Sequence, residues 1–428
     1  MFKLRFLLLA VMLLLPLGMA SPVAGAKPLP ELPLELEGVL HGAAYRIVVP
    51  ENWNGTLLVY APGYSADGAG TPDVAFKAEE ELLARGYALA ASGLRSGGVA
   101  MDEFTLDMKY LTDFFKRQVA KPEHTVIYGV SMGGNLTLRS MEKFRGTYDA
   151  GIPLCASGGG AIRNVASRFS FALAYDAAFG WDESWGQVED LRDDVEFYSE
   201  IWWPKVFPEL FVPSYPANFA RWEFVRLVNG LPIEGYYTNP FPWPDKPLGV
   251  VSLVFFSTAQ RVQWEVAAGG RVSQNAGYVY SLSTAEKAYL LDLDPTLDLD
   301  AMLAQMNAMT GIEAEPRALA YLRRVGEHSG RVHGPILMAH NTIDVIAPVE
   351  HTTEYANLMA SVGTQDLLTR VYSGLPGHCN FTEDQILALF AAMDGWLETG
   401  VAPGPEAFPE ALGFVHGFEP GPWPQPPQ

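Results

Sequence analysis

The sequence predicts an α/β fold: a mainly parallel central sheet flanked by helices on both faces, interrupted late in the series by a mostly helical insertion. Three observations predict it. Short, wholly apolar runs alternate with amphipathic helical patterns from Thr56 to Cys155. The same alternation resumes from Pro335 to Thr399. Between 161 and 334 it stops, and seven of the ten tryptophans lie there, amid proline-rich turns. Uninterrupted apolar strands mark a sheet buried on both sides, and strands that alternate with helices make parallel crossovers.

The first stretch, 1–26, reads as a signal peptide rather than part of the fold. Lys3 and Arg5 form a basic start, and Phe6 to Leu17 is apolar apart from Pro16. Ala24-Gly25-Ala26 offers a cleavage site, with Gly18-Met19-Ala20 an earlier option. The apolar run is short for a transmembrane span of roughly 20 residues, and no cysteine for a lipid anchor sits near the cleavage site. The expectation is a secreted or periplasmic protein with no integral membrane segment in the mature chain.

The α/β core is expected over 34–160 and 335–400, the insertion or cap over 161–334, and a Pro/Gly-rich tail, extended or loosely attached, over 401–428. Within the core, 34–49 reads as two strands around Gly42, and 56–60 as a buried strand. The spacing predicts a helix over 72–85, with Thr71 as N-cap and Pro72 at the first helical position. A strand over 87–92, a helix over 102–119, a strand over 124–129, a helix over 135–145 and a strand over 151–155 follow. In the insertion, 285–291, 298–309 and 315–325 have helical spacing. Its tryptophans are expected mostly to form its own core, with a few lining an apolar pocket. The core resumes with a strand over 335–340, a helix over 349–362, a strand over 366–372 and a helix over 383–399.

A hydrophobic content of 49% supports a large core, and the net charge is −20. Such acidity leaves no basic stripe for phosphates, so nucleic acid and anionic membranes are not expected partners. The two cysteines form no Cys-x-x-Cys pair, so a structural zinc site is not expected.

The chemistry centres on Gly129-Val130-Ser131-Met132-Gly133-Gly134. Here a strand leads into a tight turn with serine at its tip, and a helix leads out. Gly129 and Gly133 remove Cβ atoms where strand and helix crowd, which is the logic of the nucleophile elbow. A serine hydroxyl needs a base, and the base needs an orienting acid. Of the eight histidines, His41 and His124 fall elsewhere, His328 and His333 precede the re-entry strand, and His416 is in the tail. His340 and His351 flank Asp344 and could line a pocket, whereas His378 alone lies in the loop after the final strand. Asp344 follows the strand ending at His340. Asp366 and Asp384 sit at element starts, where an acid is an ordinary cap. The order Ser131, Asp344, His378 brings three loops to one sheet edge. The N–H of Met132 would be one oxyanion donor, and that of Tyr64, after Gly63, the second. No metal or organic cofactor is needed.

On these residues the chain resembles the α/β-hydrolase superfamily, over nearly all of 35–400 outside the cap. The resemblance rests on 129–134, on Ile343-Asp344-Val345-Ile346-Ala347-Pro348 and on Gly377-His378. Ala61-Pro62-Gly63-Tyr64-Ser65 is similar to the oxyanion loop of cutinase-like polyester hydrolases, which lack a large cap. In tannases and feruloyl esterases one cysteine directly precedes the serine and another directly follows the histidine, and the two are bridged. Here Cys379 follows His378, but Val130 precedes Ser131, so the motif is half present. Cys155 ends the strand after the elbow on the same edge, which leaves either a Cys155–Cys379 disulfide or two buried thiols. The resemblance implies a serine hydrolase that cleaves small-molecule or oligomeric carboxylic esters through an acyl-enzyme. A peptidase or amidase on short peptides, and an inactive binding protein on the same fold, are the alternatives.

Overall fold

The computed structural model describes residues 31–66, 68, 70–210, 217–232, 248–421 and 423. The expected signal peptide, the proline-rich turn around Trp243 and the last residues of the tail lie outside the described residues.

Strands β1 (Leu34–Leu40) and β2 (Ala43–Val49) form a hairpin, followed by β3 (Thr56–Ala61). Helix α1 (Glu79–Ala84), β4 (Ala88–Ser92) and α2 (Met101–Phe114) come next, α2 ending in a wide π-helical turn over Phe115–Val119. Then come β5 (His124–Val130), α3 (Met132–Lys143) and β6 (Ala150–Leu154). The helix expected over 72–85 is confined to its last part. Ala78 takes a left-handed φ of 58° immediately before α1, so the backbone cannot run helically through it. The preceding residues are held by tertiary contacts instead: Val74 and Ala75 are buried, and the Lys77 ammonium donates to the Phe381 carbonyl.

The insertion starts with α4 (Ala161–Phe179) and includes the hairpin β7 (Gly186–Gln187) and β8 (Asp190–Leu191). A π-helical segment spans Phe197–Val206, followed by short α5 (Phe207–Glu209), α6 (Ala217–Val228), α7 (Leu248–Ser257) and α8 (Ala259–Ala268). It finishes with α9 (Thr284–Leu293), α10 (Leu299–Ala308) and α11 (Pro316–Val325). The chain then returns through β9 (Ile336–Asn341), α12 (His351–Val362), β10 (Leu368–Ser373) and α13 (Glu383–Thr399). Helix α13 is bounded as its sequence demands. Thr382 Oγ1 accepts from the Gln385 N–H at 3.1 Å and Gln385 Oε1 accepts from the Thr382 N–H at 3.1 Å. Gly400 stops the helix in the left-handed region.

The eight-stranded sheet has the order β1-β2-β4-β3-β5-β6-β9-β10. Only β2 runs against its neighbours; all other pairings after it are parallel. Alternate residues of each strand go to opposite faces. Leu58, Leu89, Val126, Ile152 and Leu337 pack with α13 on one face. Leu57, Ala90, Ile127 and Met338 pack with α2, α3 and α12 on the other. Each fully buried Leu, Ile, Val or Met among them contributes about 1.5–3 kcal/mol, which is why these strands carry no polar face.

The insertion has its own core, with Phe169, Trp185, Trp222 and Val250 at its centre. The tail is not loose. Its Val415 N–H donates to the Tyr372 carbonyl at 2.8 Å, Phe414 bridges to Ser373 of β10, and Phe408 and Phe414 are buried in the cluster under α13. Two buried phenylalanines outweigh the Pro/Gly content that suggests looseness.

Candidate active site

Ser131 sits between the end of β5 and the start of α3 with φ 55° and ψ −117°. Such a conformation costs of order 1–3 kcal/mol for a residue with a side chain, and the surrounding glycines enforce it. An added Cβ at Gly129 would lie 2.5 Å from the carbonyl oxygens of Ala61 and Gly133. One at Gly133 would run into the Ala61 carbonyl and lie 2.7 Å from that of Pro62. One at Gly134 would lie 2.8 Å from that of Leu154. The Ser131 N–H donates to the Leu154 carbonyl at 2.9 Å, which fixes the turn on β6.

Ser131, Asp344 and His378 converge at the C-terminal edge of the sheet. The Ser131 hydroxyl lies 2.8 Å from His378 Nε2, and His378 Nδ1 lies 2.7 Å from Asp344 Oδ2. A carboxylate oxygen only accepts, so Nδ1 carries the proton and Nε2 is free to accept from the hydroxyl. Asp344 is fully buried. Its Oδ1 accepts from the N–H groups of Ile346 and Ala347, both at 2.9 Å. Burial alone would push its carboxyl up. The adjoining His378 imidazole with its hydrogen bond, and His340 close behind, outweigh burial and hold it well below the usual carboxylate range.

Asn341, which sequence reading did not single out, positions the histidine loop, and His340, expected only as a possible pocket-lining residue, braces the acid loop. Buried Asn341, at the end of β9, donates to the carbonyls of Leu375 and Asn380, each at 2.8 Å, and accepts from the Asn380 N–H at 3.0 Å. A polar side chain closing an otherwise apolar strand is the signal that marks it. His340 donates through Nε2 to the Ala347 carbonyl at 2.7 Å and lies 3.6 Å from Asp344 Oδ2. It is wholly buried behind the acid. His351 accepts through Nδ1 from the Gly159 N–H at 3.0 Å and packs on Trp423. Neither His340 nor His351 lines the cavity described below.

Cys155 and Cys379 form a disulfide with Cα atoms 5.4 Å apart, so the structure has the bridge rather than two thiols. It ties the residue after His378 to the end of β6. The ligating atoms of Cys155, His378 and Cys379 lie within 4.8 Å of one another, but both sulfurs are engaged in the bridge.

The loop bearing Gly63 and Tyr64 runs beside Ser131. A Cβ at Gly63 would lie 3.9 Å from Ser131 Cβ and 3.6 Å from the Val130 carbonyl. These are ordinary contacts, so the chain's own packing does not demand glycine there. Met132 is the first residue of α3, one of the N-terminal positions whose N–H finds no partner within the helix. The Tyr64 hydroxyl donates to Gln263 Oε1 at 2.8 Å, joining this loop to α8.

A cavity of about 360 Å³ opens above Ser131 between the sheet edge and the insertion, within the small-molecule range. His378 and Met132 form its floor, and Phe256, Trp264, Asn164 and Arg168 reach it from the insertion. Of the described tryptophans only Trp264 lines it, whereas Trp185 and Trp222 are buried in the insertion's core. Among the described residues no helix is long and apolar enough to cross a membrane.

The chain is 25% identical over 408 residues to the o-phthalyl amidase of Xanthobacter agilis, covering 87% of this chain and 89% of that protein. It is similar to the solved structure of feruloyl esterase B from Aspergillus oryzae, with 15% identity and a TM-score of 0.42 over 85% of this chain and 80% of that one. It is also similar to the acylaminoacyl peptidase of Pyrococcus horikoshii, with 12% identity and a TM-score of 0.37 over 81% of this chain and 37% of that one. No protein-family model matches the chain. Its strand order, its single reversed strand, its elbow after β5 and its acid and histidine in the loops after β9 and β10 give this chain the α/β-hydrolase fold.

Proposed function

We propose that the chain is a serine hydrolase that cleaves carboxylic esters through an acyl-enzyme. The observation that carries this reading is the unbroken relay from Ser131 Oγ through His378 to Asp344, at 2.8 and 2.7 Å, at the base of a partly open cavity. Ser131 Oγ attacks the carbonyl carbon while its proton passes to His378 Nε2. Asp344 stabilises the imidazolium and keeps it oriented. The backbone N–H groups of Met132 and Tyr64 receive the developing oxyanion, each such donor being worth about 3 kcal/mol. Collapse of the tetrahedral adduct breaks the acyl–oxygen bond, and His378 returns the proton to the leaving alcohol. Water then attacks the acyl-enzyme, gives a proton to His378 and releases the acid; the proton goes back to Ser131.

A second reading, hydrolysis of amides by the same residues, is favoured by one observation: the relative aligned over most of the chain is an amidase. In that case the bond broken is acyl–nitrogen and His378 protonates the amine. Rates on 4-nitrophenyl esters and on matched 4-nitroanilides separate the two. Faster turnover of the anilides by kcat/KM overturns the ester reading. Residues 1–26 are proposed to direct export, consistent with a disulfide beside the site; the N-terminal sequence of the mature protein tests it.

A further inference from the structure

Four arginines are buried among the described residues: Arg139, Arg168, Arg226 and Arg261. Three have an acid beside them. Arg139 meets Asp102 at 2.7 Å, Arg226 meets Glu223 at 2.8 Å, and Arg261 lies 3.7 Å from Glu265. Arg168, on α4, has no such partner among the described residues. Its Nη2 donates to the Ile346 carbonyl, and its Nε is buried with no hydrogen-bond partner. Phe256 stacks against the guanidinium at 5.3 Å. Asp344, whose charge it feels, is already engaged by His378 and two backbone N–H groups.

Arg168 lines the same cavity as Ser131 and His378. Burying a charged group without a counter-charge is costly unless something else compensates it. Burial pushes the Arg168 guanidinium down to about 10, which leaves it charged at neutral pH. The cavity's other polar side chains include Asn135, whose Oδ1 has no partner, and Asn164, which donates to Ser157 Oγ at 3.1 Å. No acidic side chain and no second permanently charged cation is among the described lining residues. One planar, forked cation with spare donors matches one planar anion.

We propose that Arg168 is a specificity-determining residue that binds a free carboxylate on the substrate, so that the site takes half-esters or half-amides of dicarboxylic acids. The proposal rests on the acyl-transfer reading of Ser131 and names the substrate class of that same site. A single carboxylate is chosen over a phosphate because one fixed charge faces the cavity, and a dianion there would be left half compensated. The competing explanation is that Arg168 serves only to pin the 344–347 loop through the Ile346 carbonyl.

The test compares mono-4-nitrophenyl esters from succinate to adipate with their neutral methyl diesters. Wild type is expected to favour the acid by at least tenfold in kcat/KM at the best chain length. Glutarate is expected to inhibit competitively and glutaramide not. Arg168→Met is expected to lower the acid-to-diester ratio at least 100-fold, and Arg168→Lys to recover part of it. Equal kcat/KM for acid and diester in wild type overturns the proposal whatever the variants do. An equal loss on both substrates in Arg168→Met overturns it in favour of the loop pin. Inhibition by inorganic phosphate stronger than by glutarate overturns the carboxylate assignment. A fluorophosphonate applied to the same wild-type sample separates the two levels: labelled protein without acid preference sinks the Arg168 proposal alone, and unlabelled protein sinks the acyl-transfer reading with it.

Discussion

At the sheet edge the acid and the histidine loop are held by their neighbours, with only neutral atoms such as Asn135 Oδ1 and His340 Nδ1 left over, whereas in the helical insertion above it charged groups are buried with donors and acceptors left over. Asp344 uses both carboxylate oxygens, and Asn341 makes three hydrogen bonds to the histidine loop. The elbow glycines leave no room for a methyl group. In the insertion, Arg168 Nε, two nitrogens of Arg261 and one oxygen of Glu265 are buried without partners. A fully satisfied network fixes a geometry, and an unsatisfied one leaves something for a ligand or a proton to complete. On the proposed function, the difference teaches that the reacting groups are held by the sheet edge, while the charges that would select substrate and answer to pH are held in the helices.

The comparison breaks most visibly if the sheet edge tolerates small changes. Asp344→Asn keeps an oxygen for the Ile346 and Ala347 N–H groups but leaves His378 without its anion. A fall in kcat of about 10³–10⁴-fold is expected on a 4-nitrophenyl ester, with little change in melting temperature. Gly133→Ala forces a methyl group against the Ala61 and Pro62 carbonyls. A loss of roughly 3 kcal/mol or more in urea unfolding is expected, with activity abolished in whatever folds. If that variant is as stable as wild type, the elbow is looser than its contacts imply.

Removing the Cys155–Cys379 bridge as a double serine variant releases a cross-link spanning 224 residues. The expected cost is about 2–4 kcal/mol, read by urea unfolding of the oxidised wild type and the variant. Turnover should fall as well, since His378 adjoins the bridge. The smallest effect belongs to the insertion. Burial pushes the carboxyl of Glu209, which accepts from the Tyr175 hydroxyl at 2.8 Å, up to about 7 from 4.5. The folded chain therefore holds a proton that the unfolded chain releases between those values. This contribution to stability is present below pH 4.5 and is lost as pH rises to about 7. Glu209→Gln should flatten the dependence between pH 5 and 8 by about 1–2 kcal/mol, after discounting for partial exposure. An unchanged slope in thermal melts would show that the insertion does not carry the pH response.

Much of the sheet was legible because strand burial on both faces leaves an apolar run, as in 56–60 and 124–129, and because glycine spacing around Ser131 reports a backbone clash. The positions of Asp344 and His378 were legible because parallel strands send their following loops to one edge. Three things were not. The late start of α1 depends on the left-handed Ala78 and on Lys77 reaching Phe381, contacts that no local pattern encodes. The packing of the tail depends on Phe408 and Phe414 finding α13 and β10, against the Pro/Gly content around them. Helix α4 is buried on nearly all sides, so its periodicity gave no face. Arg168 was hidden within it, although an arginine directly before the apolar run from Phe169 to Tyr175, broken only by Ser170, is a signal in its own right.

The central claim is that Ser131 is a nucleophile activated by His378. The most direct measurement is treatment of the folded protein with a fluorophosphonate, followed by mass mapping of the modified peptide. One adduct per chain is expected, on Ser131, lost in Ser131→Ala and strongly slowed in His378→Ala. No adduct on the wild-type protein, or an adduct that persists in Ser131→Ala, would contradict the account.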